Sequence, residues 1–204
     1  MNYNNKKVAG LLLFVAAAVF ILPAIVSEAI YSGYSVGQQN MSDLGNWSLA
    51  GNAAAIFDVS VILVGIFSIA AAYFIQRTFN KKLFTSLLVI TGISSIGVGI
   101  VAENINFPLH ALFAVILLVG WGAAAFMSYK FEKSPLSYIS VILGAVILLA
   151  FVLWISGYAN SGFWLGLGKG GMERFIIYPA FLWMLGFGAH LIGDSGAAST
   201  TSKT

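Results

Sequence analysis

Residues 53–75 read AAAIFDVSVILVGIFSIAAAYFI, with one charged residue, Asp58. An apolar run of about 20 residues matches the hydrocarbon core of a bilayer when coiled into an α-helix. Such a run is too long for a strand, and a buried helix of a small soluble domain would carry a polar face. Moving outward, similar runs recur at Val8–Val26, Leu83–Val101, Leu109–Met127, Leu136–Ile155 and Phe175–Ile192. The pattern predicts an all-α polytopic membrane protein, a bundle of six transmembrane helices. Residues 1–194 form one transmembrane domain in this reading, and 195–204 a disordered polar tail.

Composition supports the same solvent. Hydrophobic residues make up 59% and charged residues 8% of the 204 positions, and mean hydropathy is +0.92. Soluble domains carry roughly 25% charged residues, and so small a chain could not bury six all-round apolar helices away from water. The first run is longer than the roughly 7–15 residues of a signal-peptide core, so it reads as a span. The net charge of +3 comes from loop lysines, and no basic helix or aromatic platform outside the spans points to nucleic acid. Cysteine is absent, which excludes disulfides, thiolate metal sites and iron–sulfur clusters. No cofactor or metal is expected.

The charges orient the bundle. Six spans put both termini on one side. With that side cytoplasmic, Lys6, Lys7, Arg77, Lys81, Lys82, Lys130, Lys133 and Lys203 lie inside, and only Lys169 and Arg174 lie outside. This asymmetry is the positive-inside pattern, and it places the chain in a cell membrane with cytoplasmic termini.

Polar groups gather at the opposite, outer end. Glu28 closes span 1, Ser42 and Asp43 lie in the first outer segment, and Asn52 opens span 2. Glu103 closes span 3, His110 opens span 4, and Glu173 and Arg174 precede span 6. Asp58 sits about two turns inside span 2. A carboxylate left in lipid there costs about 2.5 kcal/mol or more, so it must face protein or water. Each group has a structural and a functional reading. Asp58 either joins helices or contacts an ion or substrate. Glu103 and His110 flank a short turn, as an interhelical hydrogen bond or as part of a cation site. Glu173 and Arg174 form a local ion pair or offer a guanidinium to an anion. Ser42, Asp43 and His110 include the residue types of a hydrolytic set, without a spacing that demands one. Together Ser42, Asp43, Asn52, Asp58, Glu103, His110, Glu173 and Arg174 make the expected outer pocket. The small residues of span 3, from Gly92 to Gly99, suit close helix packing.

Four stretches carry a family resemblance: Ser42-Asp43-Leu44-Gly45; Asn52 with Phe57-Asp58; Val98-Gly99 with Glu103 and His110; and residues 165–179, LGLGKGGMERFIIYP. They resemble archaeal members of the domain-of-unknown-function family 998, six-span proteins grouped loosely with autophagy-modulator and GPI-anchor-remodelling types. The resemblance implies the six-span topology and an interaction with membrane lipids, and it implies no particular reaction. Three functions compete: a lipid binder or remodelling factor, a small ion-coupled transporter using Asp58, and a non-catalytic subunit of a homo-oligomer or larger membrane complex.

Overall fold

The computed structural model describes residues 3–200. Its long helices are α1 (Tyr3–Ile30), α3 (Asn52–Phe79), α4 (Lys82–Ile100), α5 (Phe107–Ser128), α6 (Leu136–Gly157) and α7 (Gly168–Thr200); a one-turn helix, α2 (Trp47–Ala50), precedes α3. Six of the helices contain stretches long and apolar enough to cross a membrane, as the sequence predicts. No strand occurs among the described residues. Lys203 and the end of the expected polar tail, 201–204, lie outside the described residues.

The helices close into a ring in the order α1, α3, α4, α5, α6, α7, with α7 returning against α1. Lipid offers no hydrophobic drive to bring helices together, so close backbone approach and interhelical hydrogen bonds take its place. A Cβ on Gly65 would sit 2.4 Å from the carbonyl oxygen of Gly92, and one on Gly92 would sit 2.9 Å from that of Gly65. Gly10 and Gly188 interlock α1 and α7 in the same way. The small residues of span 3 are thus a packing face, with Ser95 Oγ also donating to the Val61 carbonyl at 2.7 Å. Inside the ring, Phe181 stacks on Phe20 at 4.3 Å and meets Trp121 edge-on at 5.2 Å. Trp183 is buried and donates to Ser128 Oγ at 2.9 Å. These tryptophans are core residues.

One boundary differs from the sequence expectation. The sequence reading begins the sixth span at Phe175. Instead α7 starts at Gly168. A Cβ at Gly170 would fall 1.7 Å from the Gln39 carbonyl oxygen, so the glycines let the first turn of α7 pass under the 31–46 segment. That segment in turn packs on the bundle, pinned by Gly170 N–H donating to the Gly37 carbonyl at 3.2 Å. Its second half forms a 3-10 turn at Ser42–Gly45.

Candidate functional site

The polar residues gather toward one end of the ring and divide into three compartments.

The first is a cavity of about 230 Å³ between the α4–α5 turn, α5, α6 and α7, lined at its polar end by Asn40, Ser42, Glu103, His110, Tyr158 and Glu173. Asn106 caps α5, accepting from Leu109 N–H at 3.1 Å. The turn it closes brings His110 Nε2 to 3.9 Å from Glu103 Oε1. The other imidazole nitrogen, Nδ1, lies 2.6 Å from the Val101 carbonyl. A carbonyl only accepts, so Nδ1 holds a proton there, and in the neutral tautomer this leaves Nε2 as an acceptor. Ser42 Oγ donates to Glu103 Oε1 at 2.8 Å. Burial raises the Glu103 carboxyl above its ordinary range; the Ser42 bond opposes this, and the charge of Asp43 adds to it. Glu173 is buried and accepts from the Met41 backbone N–H. Asn40 Nδ2 donates to Tyr158 Oη at 2.9 Å, and burial raises the Tyr158 phenol.

The remaining wall is apolar: Phe107, Ala111, Ala114, Val115, Trp154 and Ile155. Phe107 is 62% exposed, Val115 39% and Ile155 45%. The cavity therefore reaches the lipid-facing surface between α5 and α6. Asn40 Oδ1, His110 Nε2 and Trp154 Nε1 are buried polar atoms with no protein hydrogen-bond partner, and all belong to residues lining this cavity. Buried polar atoms are ordinarily paired, so these three are exceptions to the usual rule.

The second compartment belongs to Arg174. Its Nη1 donates to the carbonyls of Gly170 at 3.0 Å and Val36 at 3.2 Å. Its Nη2 donates to Tyr34 Oη at 2.7 Å and to the Glu28 carboxylate. The guanidinium also lies 5.6 Å from the centre of the Tyr34 ring. Arg174 is thus spent on tying α1, the 31–46 segment and α7 together, and it does not line the cavity. Its expected partner Glu173 points elsewhere; Glu28 takes that place.

The third holds Asp58. Trp47 Nε1 donates to its Oδ2 at 2.9 Å, and a Cβ on Gly45 would stand 2.4 Å from its Oδ1. The carboxylate is buried under the 3-10 turn and α2, apart from the cavity. Asp43 lies behind the same turn, accepting from Asn40 N–H at 2.8 Å and facing Lys169 Nζ at 3.6 Å. Asn52 is exposed at the start of α3 and joins none of the three. The hydrolytic arrangement does not assemble: Ser42 pairs with Glu103, and Asp43 with Asn40 and Lys169. Among the described residues no group of three His, Asp or Glu side chains is placed to hold a metal ion. Sequence reading missed Asn40, Tyr158 and Trp154. Nothing in their spacing marks them, since they meet only through the folding of the 31–46 segment onto α6.

No curated protein and no solved structure matches the chain. A family model described as "Protein of unknown function (DUF998)" matches residues 14–190, from the first span to the last. The match covers every compartment above, and the chain belongs to the DUF998 family.

Proposed function

We propose that the protein binds a membrane lipid through a hydroxyl- or amine-bearing head group in the cavity between α5, α6 and α7. The observation that carries this reading is the pairing of unpartnered polar atoms with an apolar opening at one site. His110 Nε2 and Asn40 Oδ1 call for donors, and Trp154 Nε1 calls for an acceptor. A hydroxyl supplies one donor and an acceptor, so a head group with two hydroxyls meets all three. Glu103 and Glu173 add carboxyl oxygens that accept hydrogen bonds, which favours hydroxyls, amines or ammonium groups. Ligand pockets for whole small molecules usually span about 300–1,000 Å³. A cavity of about 230 Å³ suits a head group, with the chains lying outside along Val115 and Ile155. The positive-inside bias supports placing this cavity in the outer leaflet. The polar guest enters sideways from lipid rather than through the bundle, so the reading is of a binder or presenter of lipid, with no reaction assigned.

The test uses the full chain in nanodiscs carrying lipids with photoactivatable acyl chains. One lipid has a phosphate-free glycerol or sugar head group and the other is phosphatidylcholine. Cross-links from the hydroxylated lipid are expected at Val115 and Ile155, reduced several-fold by Ala114→Leu. Labelling spread evenly around the ring and indifferent to Ala114→Leu overturns the proposal.

A further inference from the structure

The opposite end of the bundle holds a larger cavity with the reverse charge. It occupies about 810 Å³ between the start of α1, the α3–α4 turn and the end of α5. Lys6, Lys81, Lys82 and Lys130 line it, together with Phe79, Asn80, Leu83, Phe84, Met127 and Phe131, and no Asp or Glu is among these residues. Lys6 is only 6% exposed, with its ammonium 5.6 Å from the centre of the Phe79 ring. A buried lysine is not the solvated loop charge that sequence asymmetry alone describes.

The same cavity receives the start of α4. Its N-cap position is Lys81, with no side-chain cap, and its first turn has no acid. A helix start carries unsatisfied N–H groups and a partial positive charge, normally met by a Ser, Thr, Asp or Asn cap or by an anion. Here two lysines occupy the cap and first position, adding positive charge where negative charge is favoured. Lysine stems can lie along apolar walls while their ammonium groups reach toward a polar ligand. Phe84, Phe131 and Met127 supply such walls.

From this juxtaposition we infer a binding site for a phosphate-bearing anion at the lysine-rich end of the bundle, of the kind offered by an anionic phospholipid head group. The ammonium groups of Lys81, Lys82 and Lys130 and an uncapped helix start supply positive charge, and the aromatic and aliphatic walls accommodate the first methylenes of a lipid. Basic pockets between transmembrane helices recognise phosphorylated head groups through this combination of charge and depth.

The test is retention of lipid by the full chain, followed by native mass spectrometry after equilibration with phosphatidylglycerol or phosphatidylcholine. Wild type is expected to retain phosphatidylglycerol selectively. The variant carrying Lys81→Gln, Lys82→Gln and Lys130→Gln should bind it on the order of a hundredfold more weakly, at about fivefold per lysine. A control carrying Lys7→Gln, Arg77→Gln and Lys133→Gln removes the same charge from positions that do not line the cavity, and should lose less than about fivefold, because surface charges are screened. Displacement of the lipid by millimolar inorganic phosphate would keep the site and assign it to a soluble anion; resistance to displacement assigns it to the lipid. Equal losses in the two triple variants, or equal retention of the two lipids by wild type, overturns the inference. Because the site lies at the far end from the α5–α6 cavity, Ala114→Leu should leave it unchanged.

Discussion

Glu173 and Arg174 are neighbours in sequence, and α7 buries them in separate compartments: Glu173 lines the cavity with His110, while Arg174 reaches Glu28 and Tyr34. Successive residues of an α-helix point about 100° apart, so adjacent charges on a buried helix end seldom share a site. Of this pair the acid joins Glu103 in lining the cavity, and the arginine is consumed by structure.

That division predicts a large stability role for Arg174. Removing one partner of a fully buried pair costs about 3–5 kcal/mol, and because Glu28 keeps 21% of its side chain exposed the lower end of that range applies. Arg174→Met should lower unfolding stability in mild detergent by about that amount, and Glu28→Gln in the same chain should recover part of it. Arg174→Lys should fall between, since a single ammonium cannot replace a fork that serves Glu28, Tyr34, Val36 and Gly170 together. A Met variant as stable as wild type would remove the structural assignment.

Gly170 offers a second check, on how the 31–46 segment is held. Its missing side chain leaves room for the Gln39 carbonyl oxygen, which a Cβ would approach to 1.7 Å. Gly170→Ala should destabilise by about 1–3 kcal/mol through overpacking. Gly193→Ala, where nothing lies within 4 Å of the added carbon, should be neutral or stabilising by about 0.5–1 kcal/mol. Thermal unfolding followed by intrinsic fluorescence separates the two.

Topology was legible because hydrophobic length is a local property: residues 53–75 announce a span without reference to any partner. Convergence of Glu103, His110 and Glu173 was legible for a related reason, since alternating helices put known ends together. Which way each side chain points was not. That depends on helix rotation and on the course of residues 31–46, and the sequence carries no periodic signal for either. Asp58 illustrates the gap. Its depth marked it as a group needing a partner, but the partner, Trp47, comes from a short helix folded over it, not from a facing span. The start of α7 was misplaced because glycine reads as loop in isolation, whereas Gly168 and Gly170 permit contact with the segment above.

Asp58 should therefore respond first to Trp47. Trp47→Phe keeps most of the apolar contact and removes the indole N–H that bonds Oδ2 at 2.9 Å. Leaving a buried acceptor unsatisfied costs about 1–3 kcal/mol. Asp58→Asn in the Trp47→Phe background should restore part of the loss, because the neutral amide costs less to bury. Chemical denaturation of the four proteins in a double-mutant cycle measures the coupling. A coupling indistinguishable from zero would detach Asp58 from Trp47.

At the lysine-rich end, Glu132 supplies a pH dependence with a definite sign. Ser140 Oγ donates to its Oε1 at 2.9 Å, and its Oε2 is buried without a partner. Burial pushes its carboxyl up to about 6 from the usual 4.5, against the hydrogen bonds from Ser140 and Ser128. A carboxyl raised in the folded state holds its proton there more tightly than in the unfolded chain. Its contribution to stability is full below pH 4.5 and fades as pH rises to about 6. Glu132→Gln stays uncharged throughout. The Tm of wild type minus that of Glu132→Gln should thus be most positive near pH 4, fall through the interval up to pH 6 and level off above it. A difference that instead grows with pH across this window would show that the folded protein favours the ionised carboxylate, the reverse of what its burial beside Ser140 requires.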